Sequence, residues 1–208
     1  MVTNTELLHD QWAELRTWIA ESGLLDHSHK QSVLAAWNVH ELVTHIGRSL
    51  LELQLLGPAR GDEPLSLCAY IGAYGGAARE IADGTKQLAM SFEDDVLAGI
   101  DNCARVGFRA LAATRADVVR AARGTISLDD FVLTRLIELV VHGDDLARSV
   151  PQIAPPPLLD HTVAAVSGAL ANAYFETTGT RPDVGAHLPW IRAATGRVPS
   201  EDVSLPLL

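Results

Sequence analysis

The chain has 208 residues, of which 48% are hydrophobic and 20% are charged, and this balance is ordinary for one globular domain with a full core. The formal net charge of −10 argues against the basic surface that nucleic-acid binding needs and disfavours attraction to anionic membranes. The two cysteines, Cys68 and Cys103, form no CxxC motif, so a disulfide framework or a structural zinc ribbon is not expected.

The first predicted helices are amphipathic and end at turn residues. Leucines and tryptophans at helical spacing predict a helix from about residue 5 that ends at Gly23. A second helix begins at Asn38, because Asn38 and Glu41 have the spacing of a capping box. It ends before Gly57, which is followed by proline.

The rest of the chain also has helical periodicity. Further helices are predicted over residues 65–90 with a break near Gly84, over 92–122, over 128–150, and from the proline-rich segment 151–157 to about Thr178. Ser127 is the predicted N-cap of the fifth helix. No alternating β-branched run predicts a sheet. We therefore expect an all-α fold, an up-down four-helix bundle over residues 1–180 with an extra C-terminal helix, followed by a short extension over 181–208.

The fifth predicted helix carries two polar residues within an apolar sequence. In RLIELVVHGDD, Glu138 and His142 are four residues apart, so their side chains share one helix face. Because the helix is apolar nearly all the way round, both are expected to be at least half buried, and a buried carboxylate needs a partner. Three partners would satisfy it: His142 alone, an arginine from another helix, or a metal ion that both side chains ligate.

His45 on the second helix is the candidate for a third ligand. The sequence HELVTH differs from the zinc-protease pattern HExxH, because His40 and His45 are five residues apart and diverge by about 140°. We therefore reject a metalloprotease. Glu41, one turn before His45, either holds its second ring nitrogen or serves the helix cap. Together, His45, Glu138 and His142 would form a two-histidine, one-carboxylate set that leaves open positions for water or substrate.

Two stretches resemble the signatures of a known family. AAWNVHELVTHIGRSL resembles the signature W-t-v-x-d-l-x-x-H-i/l on the second helix of DinB-like proteins. RLIELVVHGDDLARSV resembles the signature E-l-x-x-H-x-w-D-l-a of their mycothiol-dependent maleylpyruvate isomerase branch. Both stretches occur in the family's order, and the resemblance covers residues 5–178. It implies a DinB-like bundle.

The resemblance also implies a metal site. Its ligands would be His45, Glu138 and His142. Its ion would be a divalent metal, commonly zinc in this family, with Ni²⁺ or Fe²⁺ as the alternatives. Glutamate at 138, where many relatives have histidine, favours the isomerase branch. Asp145 matches the family's aspartate and would accept a hydrogen bond that orients the His142 ring. Asp144 stands where the family commonly has tryptophan.

These features favour an enzyme that uses mycothiol as a co-substrate on an electrophilic small molecule, as an isomerase or an S-transferase. The alternatives are a metal-dependent hydrolase and a non-catalytic metal- or ligand-binding bundle. Arg105 and Arg109, an i,i+4 pair on the fourth helix, are candidates for binding the thiol or substrate, although such a pair is usually a solvated face. Arg192 and Arg197 in the tail could also reach the site.

The location and partners follow from what the sequence lacks. No basic leader precedes an apolar run, and no stretch of eighteen uncharged apolar residues occurs. We expect a cytoplasmic protein that binds neither nucleic acid nor membranes and is a monomer or a homodimer.

Overall fold

In the computed structural model, residues 2–208 are described, and they form eight α-helices and one small sheet; Met1, the first residue of the predicted bundle, lies outside them. The helices are α1 (Asn4–Glu21), α2 (Val39–Leu51), α3 (Leu67–Gly72), α4 (Tyr74–Met90), α5 (Val96–Ala113), α6 (Leu128–Ser149), α7 (Asp160–Thr178) and α8 (His187–Ala194). The strands are β1 (Gly57–Pro58), β2 (Val118–Ala121) and β3 (Gly124–Ser127). None of the helices in residues 2–208 is long and apolar enough to cross a membrane.

Side-chain caps start helices α2 and α6 where the sequence predicts. At α2, the Asn38 side chain accepts a hydrogen bond from the Glu41 N–H, and the Glu41 carboxylate accepts one from the Asn38 N–H, both at 2.8 Å. At α6, the Ser127 hydroxyl oxygen accepts from the Asp130 N–H at 3.0 Å. Each cap satisfies backbone donors that have no partner within the helix, so it sets the residue at which the helix begins.

Two predicted helices were wrong in extent. The third is interrupted at Ala73, between α3 and α4, and not near Gly84. The fourth ends at Ala113, and the segment up to residue 122, which was predicted to be helical, contains β2. The physical reason is tertiary: Val119 on β2 and Ile126 on β3 are fully buried, so core burial and strand pairing outweigh the local helical tendency.

The prediction of no sheet was likewise wrong, because β1, β2 and β3 form a three-stranded antiparallel sheet in that order. Strands β2 and β3 make a hairpin in which Ala121 pairs with Gly124, and Gly124 has a φ of 135°, which suits glycine. The hairpin leads directly into α6 through the cap residue Ser127. The sheet therefore positions the start of the central helix.

Helices α1, α2, α5 and α6 surround the core, which confirms the all-α bundle. Helix α2 packs against α5 and α6, and α6 packs against α1. The stacked rings of His9 and Phe108 and the ion pair of Arg16 with Asp101 join α1 to α5. Helix α6 is buried along almost its whole length, because α1, α2, α3 and α7 all contact it.

The C-terminal extension contains an additional helix, α8, where the sequence predicts only a short extension. Trp190 and Ile191 on α8 are buried, and the Trp190 indole N–H donates to the Ser167 carbonyl oxygen on α7 at 3.2 Å. Helix α8 packs on α7, and α7 packs on α6. The extension is thereby held on the bundle close to the C-terminal half of α6.

Close contact between α2 and α5 depends on glycine. A Cβ at Gly107 on α5 would overlap the Leu50 carbonyl group on α2, which is backbone and cannot rotate away. We expect Gly107→Ala to lower the free energy of unfolding by about 2–3 kcal/mol, because the helices must separate. Urea denaturation would measure the change.

Gly168→Ala is the matched control for this prediction. Gly168 is exposed on α7, and a Cβ there meets nothing within 4 Å. Alanine at that position should stabilise the protein by about 0.5–1 kcal/mol, because it has the higher helix propensity. Equal effects of the two substitutions would contradict a close approach of α2 to α5.

Candidate metal centre

Helices α2 and α6 bring together three side chains that could hold a metal ion: His45, Glu138 and His142. The Glu138 Oε2 atom lies 3.0 Å from Nε2 of His142 and 3.2 Å from Nε2 of His45. One ligand atom of each residue lies within 4.8 Å of the others. The packing of α2 against α6 therefore brings His45 to the pair that the i,i+4 spacing places on one face.

The far side of each imidazole is also hydrogen-bonded. Nδ1 of His142 lies 3.0 Å from Oδ2 of Asp145, a carboxylate that also accepts from Nε and Nη2 of Arg197. Because an ionised carboxylate only accepts, Nδ1 of His142 carries the proton, and its Nε2 is directed toward Glu138. Nδ1 of His45 lies 3.2 Å from the Thr85 hydroxyl on α4.

Burial and hydrogen bonding act in opposite directions on these groups. Burial alone would raise the pKa of Glu138, but hydrogen bonds from His142 and His45 hold it well below its ordinary value. Burial alone would lower the pKa of His142, but hydrogen bonds to Asp145 and Glu138 raise it. For His45, burial dominates and lowers the pKa. Hydrogen bonds from the two histidines therefore stabilise the ionised form of Glu138 when no metal is bound.

The three ligand atoms fit a divalent cation. In a tetrahedral zinc site with bonds of 2.0–2.1 Å, ligand atoms are about 3.4 Å apart. The separations of 3.0 and 3.2 Å around Glu138 are close to that value. The side chains are only 8%, 13% and 8% exposed for His45, Glu138 and His142, so solvent does little to stabilise the carboxylate. A cation would satisfy all three groups at once.

The three side chains line one cavity of about 430 Å³. The Trp37 ring stacks on His45, with centroids 4.4 Å apart and planes inclined by 27°, and also contributes to the wall. Tyr74 at the start of α4 and Arg197 of the extension line the same cavity. A small molecule in this space would contact the metal-ligating residues directly.

A larger groove of about 730 Å³ lies elsewhere, between the start of α2 and the end of α4, and none of the three residues lines it. Its walls include Glu41 and several other acidic side chains. We place the functional site in the smaller cavity, because only that one combines apolar walls with the convergent ligand set.

The structure does not bring every candidate residue to the site. The Glu41 carboxylate is engaged in the cap of α2, and Thr85 contacts the second ring nitrogen of His45. Arg105 and Arg109 are exposed on α5, where Arg105 donates to Asn102, and neither lines the cavity. The two arginines lie away from the site because α5 packs against α2 on a side away from the cavity.

The two arginines of the extension bind the adjacent aspartates of α6. Arg192 makes a bidentate ion pair with Asp144, in which Nε and Nη2 donate to the two carboxylate oxygens at 2.7 and 2.6 Å. Arg197 pairs with Asp145. Asp144 therefore anchors α8 to α6. Of the two arginines, only Arg197 lines the cavity. Neither this contact nor Thr85 had a signal in the sequence, because both depend on how distant helices are packed.

A family model described as the mycothiol maleylpyruvate isomerase N-terminal domain matches residues 8–147, more than half of the chain. The chain belongs to this family. The match confirms the resemblance to the mycothiol-dependent isomerase branch. It includes the three convergent side chains and Asp145, whereas Arg197 lies C-terminal to it. No curated protein and no solved structure matches the chain. The matched part therefore contains the three convergent side chains, and Arg197 and Leu208 line the cavity from outside it.

Proposed function

We propose that the protein binds one divalent metal ion, zinc in the first instance, through His45, Glu138 and His142, and uses mycothiol as the co-substrate of an isomerase or S-transferase reaction. The observation that carries this proposal is the convergence of three ligand atoms at the wall of a small-molecule cavity. Membership of the isomerase N-terminal domain family supports the choice of mycothiol. A bound divalent cation would stabilise the thiolate form of the thiol at neutral pH.

In this proposal the protein's own residues orient and enclose the reactants. The hydrogen bond between Asp145 and Nδ1 of His142 keeps Nε2 directed at the site, and Arg197 holds the Asp145 carboxylate in place. The Trp37 ring fixes the His45 imidazole by stacking and excludes water from one side. These contacts prearrange the ligand atoms, so little reorganisation is needed when the cation and thiol bind.

We also propose how the chain divides. Residues 1–180 would be the metal-binding bundle, and residues 181–208 an extension that closes one side of the cavity. Arg197 and Leu208 line the cavity, and the ion pair of Arg192 with Asp144 anchors the extension to α6, which supports this division.

Metal analysis tests the proposal. The purified protein should hold about one divalent ion per chain, as an open three-ligand site would. Native mass spectrometry should show this ion in the wild type and not in His142→Ala. Titration of cobalt-substituted protein with mycothiol should then produce a thiolate-to-cobalt charge-transfer band. Metal-free wild-type protein after metal-replete growth would contradict the proposal, and turnover that ignores thiol would favour a metal-dependent hydrolase.

Acidification should release the metal. In the metal-free protein, hydrogen bonds to Asp145 and Glu138 outweigh burial and raise the pKa of His142 above its ordinary 6.5. Because a metal binds only the neutral imidazole, protons compete below the raised pKa, and the affinity should fall about tenfold per pH unit there. The decline should therefore begin above pH 6.5, the ordinary pKa of histidine. Competition with a chromophoric chelator between about pH 8 and about pH 5.5 would measure it.

Asp145→Asn provides the control for this pH dependence. The variant removes the carboxylate whose hydrogen bond raises the pKa of His142, so the decline in affinity should begin at a lower pH than in the wild type. An affinity that is independent of pH over the whole interval would contradict competition by a proton on His142.

A further inference from the structure

The cavity beside the candidate metal centre is mostly apolar. Apart from the three ligand residues, its walls are formed largely by aliphatic and aromatic side chains. Ile137 and Val141 of α6 are buried there, and Ile81 of α4 is half-buried. Leu208 of the extension completes this surface. Walls of this kind favour a ligand that buries apolar area and offers few polar groups.

Positive charge is scarce on this surface. Within residues 2–208, Arg197 is the single lysine or arginine that lines the cavity. Its Nε and Nη2 donate to the Asp145 carboxylate at 3.2 and 3.1 Å, and its Nη1 donates to the Thr195 carbonyl oxygen at 2.7 Å. The Arg197 charge is therefore already balanced by Asp145, which is fully buried.

The neighbouring arginines do not line the cavity. The Arg123 guanidinium lies over the Tyr74 ring, 4.3 Å from the ring centroid. Arg48 donates to the Ile81 carbonyl oxygen and to Thr85, and Arg135 donates to Glu52 and Tyr74. Neither lines the cavity. A divalent cation, the Glu138 carboxylate and a thiolate would together carry no net charge. No unpaired positive charge would then line the cavity to bind an anionic second substrate, and a buried carboxylate without a partner is strongly disfavoured.

We propose that the acceptor of the thiol is an uncharged, mainly apolar activated alkene and not a small dicarboxylate such as maleylpyruvate. The proposal rests on the thiol-dependent function proposed above. The thiol sulfur forms a bond to the β-carbon of an α,β-unsaturated ketone as the carbon–carbon π bond breaks. The proton that leaves the thiol is delivered to the α-carbon. Nothing is oxidised or reduced, and no group leaves.

Binding of two saturated ketones tests the proposal without requiring turnover. The probes are 4-phenylbutan-2-one and its para-carboxylate, which differ in one carboxylate group. Calorimetric titration of the metal-loaded protein saturated with mycothiol should give at least about tenfold tighter binding of the uncharged ketone, because no unpaired cation in the cavity then offsets burial of the carboxylate. Equal or tighter binding of the carboxylate would overturn the proposal, and so would an absence of binding by the uncharged ketone.

A pair of charge-adding variants assigns the preference to this cavity. Ala78 lines the cavity and is exposed on α4, so Ala78→Arg adds a cation there without filling the core. Gln87→Arg adds the same charge to the same helix at an exposed position outside the cavity. Ala78→Arg should reduce the preference for the uncharged ketone by about tenfold, and Gln87→Arg should leave it unchanged. Equal changes in both variants would overturn the assignment.

Turnover separates failure of this proposal from failure of the proposed function. With mycothiol, 4-phenylbut-3-en-2-one should react faster than its para-carboxylate and faster than maleylpyruvate. Thiol-dependent turnover that favours either anion would overturn the apolar acceptor and leave the proposed function intact. If the protein binds metal but turns over none of the three acceptors, the thiol-dependent function fails, while the binding titration still decides the ligand preference of the cavity.

Discussion

Replacing Glu138 with alanine should weaken zinc binding by about two to three orders of magnitude, because binding energies of ~10–16 kcal/mol are divided among about four ligands. Glu138 is also the residue whose Oε2 contacts both histidines, at 3.0 and 3.2 Å, so its removal leaves two neutral imidazoles with no anionic ligand. Thiol-dependent activity should be lost with the metal. Chelator competition and an assay with saturating mycothiol would measure the two effects.

Glu41→Gln is the matched control. Glu41 is also a half-buried glutamate, but its carboxylate caps α2 and lines the other groove. We expect its removal to affect helix stability by about 1 kcal/mol and to leave zinc affinity unchanged. A loss of about ten- to hundredfold would instead show that Glu41 orients a ligand from the outer shell. Wild-type affinity in Glu138→Ala would contradict the proposed ligand set.

Replacing Arg135 with methionine should lower the free energy of unfolding by about 3–5 kcal/mol, which is typical of removing one partner of a buried ion pair. The Arg135 side chain is 2% exposed, and its Nη1 lies 2.9 Å from Oε2 of Glu52. Its Nη2 donates to the Tyr74 hydroxyl at 2.5 Å, and burial raises the pKa of Tyr74 to about 12, so the phenol stays neutral. Loss of the guanidinium would leave both partners without their donor.

Two further variants decide whether loss of the ion pair causes the lower free energy of unfolding. The double variant with methionine at Arg135 and Glu52 should recover part of the lost stability, because no uncompensated carboxylate remains. Arg79→Ala should change stability by less than about 0.5 kcal/mol, since the Arg79 side chain is 96% exposed and lies 3.9 Å from Asp83. If the double variant is as unstable as Arg135→Met alone, the lost stability comes from packing and not from the ion pair. Urea denaturation measures all three.

Local sequence patterns were sufficient for the helices and for part of the site. The capping box at Asn38 and the cap at Ser127 mark where α2 and α6 begin, because the same side chains satisfy the same backbone donors in the folded protein. The i,i+4 spacing places Glu138 and His142 together on α6, where the structure finds their side chains 3.0 Å apart. Such features depend on helical geometry within one segment, so they can be read along the chain.

Local sequence patterns could not predict the features that depend on contacts between distant segments. The sheet arises because Val119 and Ile126 reach the core, and the sequence around them is also compatible with a helix. Arg105 has helical spacing from Arg109, but the side of α5 that they occupy faces solvent. The packing of α2 against α5 decides this, and no local pattern predicts it.

By itself, the sequence determined that this protein is a helical bundle of the isomerase N-terminal domain family, and it identified a carboxylate and an imidazole on one face of a buried helix. The tertiary structure brings His45 to them, and it alone decided that Thr85 and Arg197 complete their hydrogen bonds and that the surrounding cavity is apolar. The physical reason is that backbone propensity and capping act over a few residues, whereas the relative rotation of packed helices depends on the whole core.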